Sequence, residues 1–185
     1  VTSISGCFVN CTALREVTLP ESIQYISDGD FSNCQSLTEL TLPEGLIGIG
    51  DWEFNGSGIQ SLHLPASLED VTADTFFGMQ LSSLTVSEDN PYYWMDGDFL
   101  MKRGNQETTL CYALRAEGTV ELPEDTTVIG KGVFVDRKNL QKIILPEQLK
   151  TIEMMAFSGC TALETVKWNA ALEEIGDHAF FTCRG

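Results

Sequence analysis

A phenylalanine returns at the same point of a unit of about 23 residues seven times along the chain, and this periodicity limits the possible folds more than any other feature. Phe8, Phe31, Phe54 and Phe76 form one series; Phe134, Phe157 and Phe180 form a second after a break. The unit is clearest as Pro20, Ile23, Ile26, Phe31, Cys34, Leu37, Leu40, Leu42 and Pro43. Counting from Pro146 gives Leu149, Ile152, Phe157, Cys160, Leu163, Val166 and Trp168. Identical short units stack on one another, so the expected fold is a repeat solenoid with a linear core, each coil touching only its neighbours. Such a repeat fixes architecture and leaves chemistry to the exposed residues.

Each unit reads as two extended pieces and a compact turn. In Glu39-Leu40-Thr41-Leu42-Pro43 polar and apolar residues alternate, the signature of a strand with one face buried, and stacking these pieces gives a parallel sheet. Pro20, Pro43, Pro65, Pro123 and Pro146 end the strand. The second extended piece carries inward residues three apart, as in Ile23 and Ile26 or Leu149 and Ile152. In the turn, Asp28, Asp51 and Asp177 stand three residues before a ladder phenylalanine, as does Lys131. An aspartate there is placed to cap one helical turn, with Gly50, Gly130 and Gly176 supplying backbone freedom. The expectation is a β-rich, right-handed coil with its parallel sheet on the concave face and short helical or 3₁₀ turns on the outer face.

Residues 1–86 hold successive repeats, the first truncated, and residues 123–185 continue them with the last truncated. Residues 87–122 form an enlarged repeat. There Phe99-Leu100-Met101-Lys102 and Thr109-Leu110-Cys111-Tyr112 flank a polar turn, which predicts a β-hairpin. One continuous solenoid is expected, with a boundary between two short arrays as the alternative. The truncated end units read as a piece of a longer array.

The formal charge of −16, from 11 Lys and Arg against 27 Asp and Glu, disfavours nucleic acid and anionic lipid as partners. No apolar run is long enough to span a bilayer, so no direct membrane insertion is expected. Cys11, Cys34, Cys160 and Cys183 share one register, where Ser57, Met79 and Arg137 also occur. That pattern reads as reduced thiols in the core. Disulfides between Cys11 and Cys34 and between Cys160 and Cys183 are the rival, since stacked strands lie at roughly bridging distance. No metal site is expected, because there is no C-x-x-C pair and only His63 and His178 are available.

Laid out as L-x-x-L-x-L-P-x-x-L-x-x-I-x-x-x-x-F-x-x-C-x-x, the unit resembles the BspA-like class of bacterial leucine-rich repeats over nearly the whole chain. Asn90-Pro91-Tyr92, followed by Asp96-Gly97 and a hairpin, is similar to an excursion seen in that class. The resemblance implies a secreted or surface-attached bacterial protein, often of gut or oral bacteria, that serves adhesion and binds host or neighbouring-cell proteins. Asn169 departs from the pattern by replacing the strand-ending proline, and Trp168 by replacing the leucine before it.

Outward strand residues on the concave face are the first candidate site. One column holds Glu16, Glu39, Ser61, Ser83, Lys142 and Thr165, and a second holds Thr18, Thr41, His63, Thr85, Ile144 and Lys167. A third, just past the prolines, holds Glu21, Glu44, Ala66, Glu124 and Glu147. A protein docking on the first coils should present a basic patch. Strand propensity alone also explains the threonines, and solvation the glutamates. The second candidate is the insert, where Tyr92, Tyr93 and Trp94 are the densest aromatic cluster; exposed, they would anchor an interface, and folded down they would cover the sheet end. Asp96 and Asp98 lack the alternating ligands of a strong calcium loop. His63 sits in a flat strand column beside Ser61, where neighbouring outward residues point away from any pocket, and no G-x-S-x-G elbow occurs, so neither catalysis nor a cofactor is expected. The expected function is a noncatalytic binding or adhesion module for a protein or glycan ligand, host-derived ligands included, at the cell surface or outside the cell. The alternative is a structural spacer that projects another domain.

Overall fold

The computed structural model describes residues 1–72 and 74–184, and the chain divides into two compact units, Val1–Trp94 and Met95–Gly185. The first unit carries β1 (Ser3–Ser5), β2 (Tyr25–Ser27), β3 (Gly48–Ile49), β4 (Ser61–Leu64), β5 (Asp70–Val71) and β6 (Ser83–Val86). β7 (Tyr93–Asp96) lies across the division. The second carries β8 (Phe99–Arg103), β9 (Thr108–Ala113), β10 (Gly118–Glu121), β11 (Val128–Ile129), β12 (Leu140–Ile144), β13 (Thr151–Ile152), β14 (Thr165–Lys167) and β15 (Glu174–Ile175).

Both extended pieces of the repeat form parallel ladders, so each unit is a β-solenoid with two stacked strand columns. In the first unit β1, β2, β3 and β5 pair in that order, and β4 pairs with β6. Glu39 joins the second column by an isolated bridge to Ser61. In the second unit β9, β11, β13 and β15 form one column and β10, β12 and β14 the other. The hairpin is present, with β8 antiparallel to β9. Its second strand is also a coil strand, Leu110 lying opposite Ile129. The hairpin is therefore built into the ladder at its base.

The inward residues fill a linear core. Ile23, Phe31, Leu37, Leu46, Leu68, Leu110, Phe134, Leu149 and Phe157 are fully buried. Phe134, Phe157 and Phe180 stack at 4.9 Å and within 5° of parallel. In the first unit Phe8–Phe31 and Phe31–Phe54 stack at 5.5 and 6.3 Å. The cysteine register has its own chemistry: the Cys34, Cys160 and Cys183 thiols donate to the carbonyls of Phe8, Phe134 and Phe157 in the preceding coil, at 3.1, 3.0 and 3.3 Å. All six cysteines are free. Arg137, in the same register, sends Nη2 to the Ala113 carbonyl at 2.6 Å and lies over the Tyr112 ring.

The outer turns differ from the expected helical or 3₁₀ segments, for no described residue is helical. Isolated i+3 bonds close them, such as Cys34 N–H to Phe31 O and Leu37 N–H to Cys34 O. The reason is a left-handed residue two positions after each ladder phenylalanine: Asn10, Asn33, Gly56, Gly78, Asp136, Gly159 and Thr182 all have positive φ. Two positions before it, Gly6, Gly29, Trp52, Gly132, Met155 and His178 do as well. A right-handed helix cannot run through residues of opposite hand four apart.

Asp28 does not cap a helix; it is itself left-handed, with φ 62°, and accepts the Ser5 hydroxyl. The turn amides are met from the neighbouring coil instead. Glu53 accepts the N–H groups of Gly29 and Asp30 at 3.1 and 2.8 Å, Asp30 accepts that of Cys7 at 2.6 Å, and Glu153 accepts that of Lys131 at 2.8 Å. Gly50, Gly130 and Gly176 also differ from expectation. None has positive φ; a Cβ on Gly130 would lie 2.9 Å from the Leu110 carbonyl oxygen, and one on Gly176 2.5 Å from Met154 N. These glycines permit close approach between coils rather than backbone freedom.

Candidate binding face

Alternation along the strands fixes which side chains leave the core. In β4, Ser61 and His63 are exposed while Leu62 and Leu64 are buried, and the parallel register places Ser61 opposite Ser83 and His63 opposite Thr85. His63 Nδ1 and Thr85 Oγ1 are 2.8 Å apart, so these two predicted residues hold each other on the strand face.

Glu16 of the first repeat and Glu39 and Thr41 of the second come together. With Arg15, Thr18 and Glu21 they line a cavity of about 470 Å³ on the strand face of the first two coils. The second unit has a counterpart of about 300 Å³, lined by Glu121, Glu124, Ile144, Glu147, Gln148 and Lys167. Ile144 and Lys167 face each other in register, as do Lys142 and Thr165. Both cavities sit where the strand turns at its proline, so the outward strand residue and the glutamate after the proline converge. Arg15 and Glu121 extend the predicted set. Glu121 stands two residues before Pro123, as Thr41 does before Pro43, but the insert interrupts the count.

Charge separates the two units. Residues 1–94 contain 13 Asp and Glu with Arg15 as the only Lys or Arg, a formal −12; residues 95–185 contain 14 against 10, a formal −4. The first cavity therefore lies in a field that attracts cations.

The insert aromatics divide. Tyr92 is exposed and Trp94 half-buried, but Tyr93 is buried, and its hydroxyl accepts the Val71 N–H at 3.0 Å. Tyr93 thus leaves the exposed set and satisfies the amide of β5. Asn90 fixes this arrangement: its Nδ2 donates to the Pro65 and Leu68 carbonyls at 2.8 and 3.0 Å, and its Oδ1 accepts the N–H groups of Tyr92 and Tyr93. Asn169 repeats half of this arrangement, donating to the Pro146 and Leu149 carbonyls at 2.6 and 2.9 Å. Asn169 in the proline register, and Asn90 three residues past it, thus each tie their coil to the one before. Asp98 pairs with Arg115 at 3.7 Å. Among the described residues there is no group of three or more His, Cys, Asp or Glu placed to hold a metal ion, and no helix long and apolar enough to cross a membrane.

The model of the BspA-type leucine-rich repeat region matches residues 2–93 and 111–185 in six copies. The chain belongs to this family. No functionally curated protein matches this BspA-type chain in sequence. Its fold is similar to that of the pneumococcal vaccine antigen PcpA, with a TM-score of 0.78 at 23% identity, over 88% of this chain and 47% of that one. It is also similar to a leucine-rich cell surface protein of Faecalibacterium prausnitzii, with a TM-score of 0.72 at 21% identity, over 99% and 62%. A leucine-rich repeat protein of Eubacterium ventriosum has a TM-score of 0.64 at 14% identity, over 100% and 81%. The BspA-type chain thus spans 47% and 62% of the length of the first two. At these identities the likeness shows the leucine-rich repeat fold alone.

Proposed function

We propose that the chain is a noncatalytic binding or adhesion module of a bacterial cell-surface or secreted protein, and that it takes a basic segment of a protein partner on the strand face of its first coils. The observation that carries this reading is the cavity of about 470 Å³ where Glu16, Glu21 and Glu39 converge, in a unit with Arg15 as its only Lys or Arg. A cavity lined by carboxylates and threonine hydroxyls on a sheet favours lysine and arginine side chains through charge-assisted hydrogen bonds. The cell-surface description of the F. prausnitzii protein supports the location.

The test is binding of the purified chain to immobilised host matrix proteins, glycans and lysine- and arginine-rich peptides. Saturable binding to basic proteins or peptides is expected, weakening with salt. Exposed charge contacts are worth about 1 kcal/mol at most, so the double reversal Glu16→Lys with Glu39→Lys should weaken it roughly tenfold or more. Saturable binding to glycans alone, unchanged by that reversal, would move the site to the insert around Tyr92 and Trp94. No saturable binding across the set would leave the structural spacer as the function.

A further inference from the structure

Cys7, just before Phe8, is exposed, but from Phe31 on the residue just before each ladder phenylalanine is buried in both units, and its chemistry differs between them. In the second unit it is Val133, Ala156 and Ala179. In the first unit it is Asp30, Glu53 and Thr75, each with no exposed surface. The fold therefore accommodates apolar side chains at this position, and two carboxyl groups on successive coils are not something the repeat demands.

We propose that Asp30 and Glu53 form a buried proton-holding pair that makes the outer turns of the first unit pH-responsive, firm when the pair carries a proton and loosened when both carboxyls are ionised. The geometry supplies three supports. Glu53 uses both oxygens on the N–H groups of Gly29 and Asp30, so these turn amides depend on one side chain from the next coil. Asp30 Oδ1 accepts the Cys7 N–H, but Oδ2 is buried without a hydrogen-bond partner, an arrangement that penalises the ionised form. Among the described residues no cation acts on either carboxyl. Asp28 is the further charged group acting on both carboxyls, and Asp30 also acts on Glu53; the remaining neighbours are the Ser27 backbone and the Cys7 thiol on the side of Asp30. Thr75, in the next coil, turns its hydroxyl to the Ile49 and Gly50 carbonyls. Arg15 lies in the strand-face cavity.

Burial, reinforced by the neighbouring carboxylates, raises Asp30 above its usual range and pushes Glu53 up to about 7. An acid whose folded pKa is raised keeps a proton that the opened turn gives up. Opening is therefore resisted most at and below about pH 4.5, grows easier as pH rises towards 7, and levels off beyond it. The interval between 4.5 and about 7 corresponds to up to about a 300-fold increase in the opening constant.

Two measurements on the full chain decide the matter. The first is a carbon-13 NMR titration of the Asp and Glu carboxyl groups. At least one of Asp30 and Glu53 should titrate well above the exposed carboxylates, near neutrality, and both titrating below pH 5 would overturn the proposal. The second is amide hydrogen exchange, corrected for its intrinsic pH dependence. Protection of the Cys7, Gly29 and Asp30 amides should fall tens- to hundreds-fold from pH 5 to 8.5. Protection of Lys131 and Gly132 in the second unit should fall far less. Equal falls in the two units would refute the pair as the cause. In the double variant Asp30→Asn with Glu53→Gln the excess fall should vanish, and its persistence would refute the assignment. Should that variant fail to fold, the wild-type titration and exchange still decide.

Discussion

Replacing Phe157 with alanine tests whether the aromatic stack is the spine of the coils. The ring is fully buried and lies 4.9 Å from the rings of both Phe134 and Phe180. Withdrawing a buried phenylalanine from water is worth about 1.5–3 kcal/mol, and each stacked pair adds about 0.5–1.5 kcal/mol. The expected cost of Phe157→Ala is therefore about 3–5 kcal/mol, which also matches the usual penalty for such a truncation in a core. Phe8 is half-buried and stacks on Phe31, so Phe8→Ala should cost about half as much. Phe157→Leu keeps most of the apolar volume and gives up the stacking, so about 1–2 kcal/mol is expected. Urea unfolding followed by far-ultraviolet circular dichroism measures all three, with equal slopes required before the midpoints are compared. A cost below about 1 kcal/mol for Phe157→Ala, or a cost no larger than that of Phe8→Ala, would refute the reasoning.

Burial pushes the Cys160 and Cys111 thiols up to about 12 and raises Cys34, so at pH 8 the native protein should alkylate first at exposed Cys7 and Cys11. The unfolded, unreduced chain should then yield six reactive thiols by mass spectrometry; fewer would mean that disulfides replace the thiol-to-carbonyl bonds. Asn169→Ala removes two hydrogen bonds to the preceding coil and should cost about 1–3 kcal/mol in urea unfolding. Asn90→Ala removes four and should cost more; the reverse order would show that these side-chain bonds are not what ties the coils together.

The stacked core was legible because its contacts repeat. A residue that meets its own equivalent in the next coil leaves a period in the sequence, and phenylalanine, leucine and isoleucine all did so. The outer turns were less legible, because Trp52, Met155 and Thr182 adopt positive φ without belonging to the residue types that favour it. Their conformation is imposed by the coil on either side. The amide-binding roles of Asp30 and Glu53 were hidden for a related reason: each contact spans 23 or 24 residues, so no local motif announces it. On the strand face, alternation and the closing proline were enough to pick out Glu16, Glu39 and Thr41. They could not show that Tyr93 turns inward, since that depends on the Val71 N–H finding its acceptor in the Tyr93 hydroxyl, 22 residues away.

The two units satisfy the amide two residues before the ladder phenylalanine by different means, although Glu153 also accepts the Lys131 N–H in the second, and that difference shows where the sequence was free to vary. Around Gly132 and Phe134 the amides are met by the carbonyls of Met154 and Ala156. Around Gly29 and Asp30 they are met by the Glu53 carboxylate, while Phe31 N–H still uses the Glu53 carbonyl. A carbonyl performs this task without a charge, so the acidic version costs desolvation that the fold alone does not require. The same unit carries a formal −12 and opens a carboxylate-lined cavity on its other face. Protons at the buried pair and cations at the strand face both discharge this excess, one from inside the coil and one from outside. The first unit is thus the part of the chain whose firmness depends on what surrounds it, whereas the second, with Val133, Ala156 and Ala179 at the same position, does not carry that dependence.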